Sequence, residues 1–142
     1  MKVYNSSIRL RTAGFSDCKD ITDDLENCLK ESRVRDGLLT VMVSGSTAAI
    51  TTIEFESGAV NDLKHALDRI APLEIEYAHN LRWGDGNGFS HVRAALMKPS
   101  LSIPVIAGKL TLGTWQQVVC LDFDNKPRTR SLVVQIIGEP KA

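Results

Sequence analysis

Apolar residues recur at helical spacing in three stretches of the chain and at alternating or continuous spacing in the rest. Ile21, Leu25, Cys28 and Leu29 form the first helical stripe. It follows Asp20-Ile21-Thr22-Asp23-Asp24, where Asp20 or Thr22 can cap a helix and the acids suit the positive end of its dipole. That helix should end where the chain escapes near Asp36-Gly37. Val60, Leu63, Leu67 and Ile70 give a second stripe, predicting a helix over about residues 59–71 that Pro72 stops, with His65 off the stripe and facing solvent. Asn87 is a good cap for a third helix over about residues 88–97, halted by Lys98-Pro99-Ser100.

The remainder reads as strand. Residues 3–11 suit an edge or outer strand, followed by a turn at Gly14-Phe15-Ser16-Asp17. Residues 38–43 and 47–55 are rich in β-formers. In the latter run Thr47, Ala49, Thr51 and Ile53 share one face, and Ala48, Ile50, Thr52 and Glu54 the other. Residues 75–79 read as a strand delivering His79 into a glycine-rich loop. Residues 101–107, 109–123 and 128–137 complete the set, the last two as an antiparallel hairpin about Asp124-Asn125-Lys126-Pro127. These elements predict one α+β domain over residues 1–142, without internal repeat or linker.

Composition narrows the function. With 142 residues and 43% apolar content the chain can bury a core without disulfides. Lys+Arg and Asp+Glu are equal at 17 each, so no global field recruits nucleic acid or a membrane surface. No apolar run reaches the roughly 20 residues needed to span a bilayer, and the start, Met1-Lys2-Val3-Tyr4-Asn5, lacks the apolar core of a signal peptide. Cys18, Cys28 and Cys120 are odd in number and lack CxxC spacing, which points to reduced thiols and a cytoplasmic protein.

Candidate chemistry concentrates in His79-Asn80-Leu81-Arg82-Trp83-Gly84-Asp85-Gly86-Asn87-Gly88-Phe89-Ser90-His91. Two imidazoles bracket a donor-rich loop. Either they converge as nitrogen ligands of a divalent ion, with Glu54, Asp85 or Glu56 supplying a carboxylate, or each hydrogen-bonds the loop backbone, which spacing alone favours. Gly86, Asn87 and Gly88 open a helix and could present N–H groups to an anion, although the segment matches neither a P-loop nor a dinucleotide fingerprint. Arg128 and Arg130 share a strand face. They form either a guanidinium fork for phosphate or ion pairs with Asp122 or Asp124. Trp115 and Gln116, after Gly113, are compatible with a pocket wall, Trp115 being of a type more often found in a core. Ser44-Gly45-Ser46-Thr47 offers hydroxyls without any nucleophile-elbow pattern.

Four motifs together resemble the YjbQ family, also called secondary thiamine-phosphate synthase. They are S-G-S-T-A-A-I-T-T-I-E from Ser44, Y-A-H-N from Tyr77, N-G-F-S-H from Asn87, and G-K-L-T-L-G-T-W-Q from Gly108 with F-D-N-K-P-R-T-R from Phe123. The resemblance implies an α+β fold with a β-sandwich-like sheet system, about three helices packed on it and assembly as a homotrimer. It also implies a site on His79, His91 and Glu54, as catalytic groups and as ligands of a divalent metal, zinc foremost. A phosphorylated small molecule would be held by Arg128, Arg130, Gly86, Asn87 and Gly88, beside a pocket of Trp115, Gln116, Ser46 and Thr47. Many members carry a histidine at the start of the S-T-A motif, where this chain has Gly45-Ser46. The alternative is a non-catalytic, metal-stabilised oligomer.

Overall fold

The computed structural model describes all 142 residues. Its elements in order are β1 (Lys2–Thr12), β2 (Asp17–Asp20), α1 (Thr22–Ser32), β3 (Val34–Val43), β4 (Ala48–Ile53), α2 (Ser57–Ile70), α3 (Ala78–Trp83), α4 (Gly88–Met97), β5 (Ser100–Ile106), β6 (Lys109–Leu110), β7 (Gln117–Asp122) and β8 (Arg128–Pro140). The strands make a five-stranded sheet in the order β1-β8-β3-β5-β6 and a three-stranded sheet in the order β2-β7-β4. All pairings are antiparallel. The α+β sandwich-like expectation holds, with four helices where about three were expected.

Burial explains the layering. One face of the five-stranded sheet, carrying Leu39, Val41, Leu132, Val134 and Ile136, packs on α1 and on Ala48, Ile50, Val118 and Cys120 of the smaller sheet. The opposite face of the smaller sheet, through Ala49, Val119 and Leu121, packs on Leu67 of α2 and Ala94 of α4. The two faces of β4 thus divide as its alternation predicts. The first stripe is also as read, since Ile21, Leu25, Cys28 and Leu29 are all buried. Asp20 accepts from the backbone N–H and the hydroxyl of Thr22 at 2.9 and 2.7 Å, opening α1.

Several expectations are corrected. Helix α1 stops at Arg33, which adopts a left-handed φ of 57°, so the strand begins at Val34 rather than beyond Gly37. Ile70 is 63% exposed, because α2 meets the sheet through Leu67 and the next residue in, Ala71, is the one buried. Residues 75–77 are not a strand, and His79 lies on the short helix α3. Residues 109–123 are not one strand either: a turn at Gly113–Gln116, closed by the Gln116 N–H to the Gly113 carbonyl, separates β6 from β7. Nor do β7 and β8 form a hairpin. β7 is buried along almost its whole length, as a central strand with packing on both faces must be, whereas β8 alternates buried and exposed residues. They therefore belong to different sheets, and the turn between them carries the chain across the core edge.

Candidate functional site

The end of the three-stranded sheet near the start of β4 carries the site. Asn80 of α3 accepts the Gly88 N–H at 2.8 Å, tying α3 to the first turn of α4. Gly84 ends α3 in a left-handed conformation, with its N–H on the Asn80 carbonyl at 2.8 Å. Asn125 holds the following loop by donating to the Asp85 carbonyl at 2.9 Å. The loop therefore folds back, and the rings of His79 and His91 meet with centroids 4.3 Å apart and a tilt of 40°.

Asp85 joins them, its carboxylate 3.2 Å from His79 Nδ1. The contact has charge-pair distance without hydrogen-bond alignment, so this buried nitrogen has no hydrogen-bond partner. Asn87 Oδ1, also buried, has none either. Buried polar atoms in folded proteins are nearly always satisfied, which makes two orphans on one loop a sign of a binding site. Burial and the neighbouring His79 push the His91 imidazole below its ordinary value, only partly offset by Asp85, Asp124 and a hydrogen bond to the Ser46 backbone.

A buried charge network supports this layer. Asp122 and Asp124 are fully buried. Asp122 accepts from Arg130 Nε and Nη2 at 2.6 and 2.8 Å and from the Thr12 hydroxyl. Asp124 accepts from Arg128 at 2.9 Å, from the Thr47 hydroxyl at 3.1 Å and from the Asn87 amide at 3.2 Å. Burial alone would raise both carboxyls. Hydrogen bonds and the guanidinium groups outweigh it and lower them, Asp124 to about 2. Arg130 spends Nε and Nη2 on Asp122 and Thr47, while Nη1 lies against Gly45, where a Cβ would sit 2.8 Å from it. Gly45, at φ +135°, leaves that approach open. A cavity of about 240 Å³ lined by Gly45, Ser46, His91 and Ala94 opens beside it.

The expected residues divide accordingly. His79, His91, Ser46, Thr47, Asn87, Arg128 and Arg130 are brought to this region. Glu54 is not: it is exposed beyond the far end of β4, about 20 Å along an extended strand from Ala48. The carboxylate beside His79 is that of Asp85. Glu56 is likewise excluded, since its carboxylate caps α2 by accepting from the Gly58 and Ala59 N–H groups, which lower its pKa. The arginines form the ion pairs with Asp122 and Asp124 rather than a free fork. The Gly86–Gly88 segment has its Gly88 N–H engaged by Asn80, so it is no open anion nest. Trp115 is 72% exposed and is not core. Gln116 donates to Thr52 at 3.1 Å and lines a separate groove of about 440 Å³ with Met97, Lys98 and Ser102. Sequence reading missed Asn80 as a builder, and gave Asp122 and Asp124 only as alternative ion-pair partners of the arginines, without their burial. The signal was the acid pair closing the apolar run Val118-Val119-Cys120-Leu121 in Asp122-Phe123-Asp124.

No group of three or more His, Cys, Asp or Glu side chains is preassembled as a metal centre. The donor set that comes nearest is His79, His91 and Asp85, two imidazoles and a carboxylate of the kind that zinc and similar ions take.

A family profile described as UPF0047 protein YjbQ-like matches residues 6–139. A UPF0047 protein of Methanothermobacter thermautotrophicus is 37% identical over 140 residues, 99% of this chain and 96% of that one. The crystal structure of a YbjQ-like protein of unknown function from Sulfolobus solfataricus superposes with a TM-score of 0.92 at 33% identity, covering 97% and 99% of the two chains. An uncharacterised YjbQ/UPF0047 protein of Clostridium acetobutylicum gives 0.85 at 34% identity, covering 93% and 99%.

Proposed function

The chain belongs to the YjbQ-like UPF0047 family, and from the site its fold builds we propose that it binds a phosphorylated small molecule through a divalent ion held at His79, His91 and Asp85. The observation that carries this reading is the buried, unpartnered His79 Nδ1 beside a carboxylate and a second imidazole. Local charge supports it. Asp85, Asp122 and Asp124 outnumber Arg128 and Arg130, so the region favours a cation first and would accept phosphate once a cation is present.

The activity this arrangement would serve is thiamine-phosphate synthase-like and secondary to another role. In it the ring nitrogen of a thiazole phosphate forms a bond to the methylene carbon of a pyrimidine diphosphate while the carbon–oxygen bond to diphosphate breaks. A divalent ion would supply charge neutralisation at the departing diphosphate. In the chain itself, Arg130 Nη1 at Gly45 would orient a phosphate oxygen, and His91, whose charged form burial disfavours, would offer a ring nitrogen to the ion while the other bonds the Ser46 backbone. The buried aspartates fix both arginines in place. Three unpaired thiols are consistent with a cytoplasmic setting, and no helix is long and apolar enough to cross a membrane.

Metal analysis and zinc titration of the protein, followed by pyrophosphate titration with and without zinc, test the proposal. Zinc-dependent pyrophosphate perturbation at the amides of residues 85–91, lost in His79→Ala, supports it. The same perturbation there without metal, or in the variant, removes it. Complementation of a thiamine auxotroph by the wild type but not by His91→Ala would support the synthase-like activity, and equal growth would sink His91's role.

One observation favours a second reading, in which the site serves an oligomer, the family-implied homotrimer. Leu81, Trp83 and Leu96 beside the histidines are 73, 67 and 56% exposed, more apolar surface than a helix face usually leaves to water.

A further inference from the structure

A second cavity, of about 460 Å³, lies away from the histidines, between α1, the turn joining β5 to β6 and the last residues of the chain. Lys30, Lys109 and Lys141 surround it, with Glu26 as its one carboxylate and Leu29 and Leu110 as its apolar floor. For a chain of zero net charge this is a pronounced local excess. Lys19 with Asp17 is the only lysine ion pair in the protein, so all three ammonium groups are free. Lys30 has an ordinary duty as well, since it lies in the last turn of α1 and offsets the negative end of that helix. Lys109 and Lys141 have none.

The walls are fixed by backbone hydrogen bonds. The Lys141 N–H donates to the Arg33 carbonyl and the Gly108 N–H to the Arg35 carbonyl, both at 2.7 Å, and the Ala107 N–H to the Asp36 carboxylate at 2.9 Å. These bonds pin the C-terminal segment and the turn to the same short connection after α1. The Lys141 side chain lies over Gly108, its Nζ 3.3 Å from where a Cβ would stand, and so is drawn across the cavity. Three lysines border the cavity with a single carboxylate among its lining, so an anion seated there would meet a local excess of positive charge.

We propose that this cavity is a second binding site, for a small diphosphate-class anion, separate from the histidine site. Its volume is in the range of small-molecule sites, and the apolar floor would take an attached organic group. The charges that face the cavity match a ligand carrying two or more negative charges. Because the contacts are exposed lysines, binding should weaken steeply as salt rises.

The test is titration of the full-length ¹⁵N-labelled protein with inorganic pyrophosphate in metal-free buffer, where the histidine site as proposed is silent. Saturable shifts at the amides of Gly108, Lys109 and Leu110 are expected, unchanged in His91→Ala. They should weaken at least tenfold in the Lys109→Glu, Lys141→Glu double variant. Lys109→Gln with Lys141→Gln serves if charge reversal disturbs the fold, which unchanged shifts elsewhere would report. Shifts confined to residues 85–91, or an unaltered titration in the lysine variants, would overturn the proposal without touching that for the histidines.

Discussion

Asp85, not Glu54, is the acid that stands with His79: its carboxylate oxygen lies 3.2 Å from His79 Nδ1, on a loop that the Asn125 amide holds through the Asp85 carbonyl. The pairing identifies the local carboxylate by geometry, and it separates two variants that composition treats alike. Asp85→Asn should lower zinc affinity by at least about 10-fold, because it removes the one carboxylate of the proposed donor set. Glu54→Gln should leave it unchanged. Competition against a chromogenic chelator measures both, and equal affinities for the two variants would return Asp85 to an ordinary loop role.

His91 makes stability pH-dependent with a definite sign. Its folded pKa is below the ordinary imidazole value of 6.5, because burial and His79 both disfavour its charge. As pH falls below 6.5 the unfolded chain takes up a proton that the folded one refuses, so stability drops until the folded imidazole titrates too. Urea midpoints from pH 7.5 to 5 should decline in the wild type and decline less in His91→Gln. Equal slopes would mean that the ring is not held neutral.

A second acid step is expected from Asp122 and Asp124. Both are lowered in the folded state, Asp124 to about 2, so their contribution is complete above the ordinary value of 3.8 and is lost as pH falls toward the folded values. A stability profile flat between pH 4 and 2 would contradict the network.

Arg130→Ala should be among the most destabilising substitutions in the chain. It leaves the fully buried Asp122 with only the Thr12 hydroxyl and the Asp124 N–H, and such a stranded charge costs about 3–5 kcal/mol. Arg130→Ala combined with Asp122→Asn should recover part of that loss. Denaturant unfolding of the single and double variants reads the coupling directly, and additive losses would show that the pair is not one unit.

Leu81→Asp with Trp83→Asp should lower the solution mass of any assembly while leaving the fold intact, because both side chains are more than two-thirds exposed in the single chain. Light scattering and circular dichroism check the two halves of that statement. A mass unaltered by the substitutions would place the oligomer contact on another face.

The sequence by itself determined what local spacing controls. The stripe Ile21, Leu25, Cys28 and Leu29, the alternation in β4 and the start of α4 after Asn87 were all legible, because burial on one face writes a period of 3.6 or 2 into the chain. The two histidines and the Arg128–Arg130 pair were legible as chemistry, by residue type. Their partners were decided by tertiary structure. Twelve positions separate His79 from His91, and nothing local says that α3 folds back on α4; that needs the Asn80–Gly88 bond and the turned loop between them. Glu54 was carried away from the site by the straightness of a strand, and Gln116 by a turn that divides an apolar run into β6 and β7. Asp122 and Asp124 read as ion-pair partners of the arginines across a hairpin, and both are fully buried, because β7 passes between two packed layers and takes Asp122 and the start of the following turn in with it. Periodicity records which way a residue faces, and only the packing of distant segments decides what it meets there.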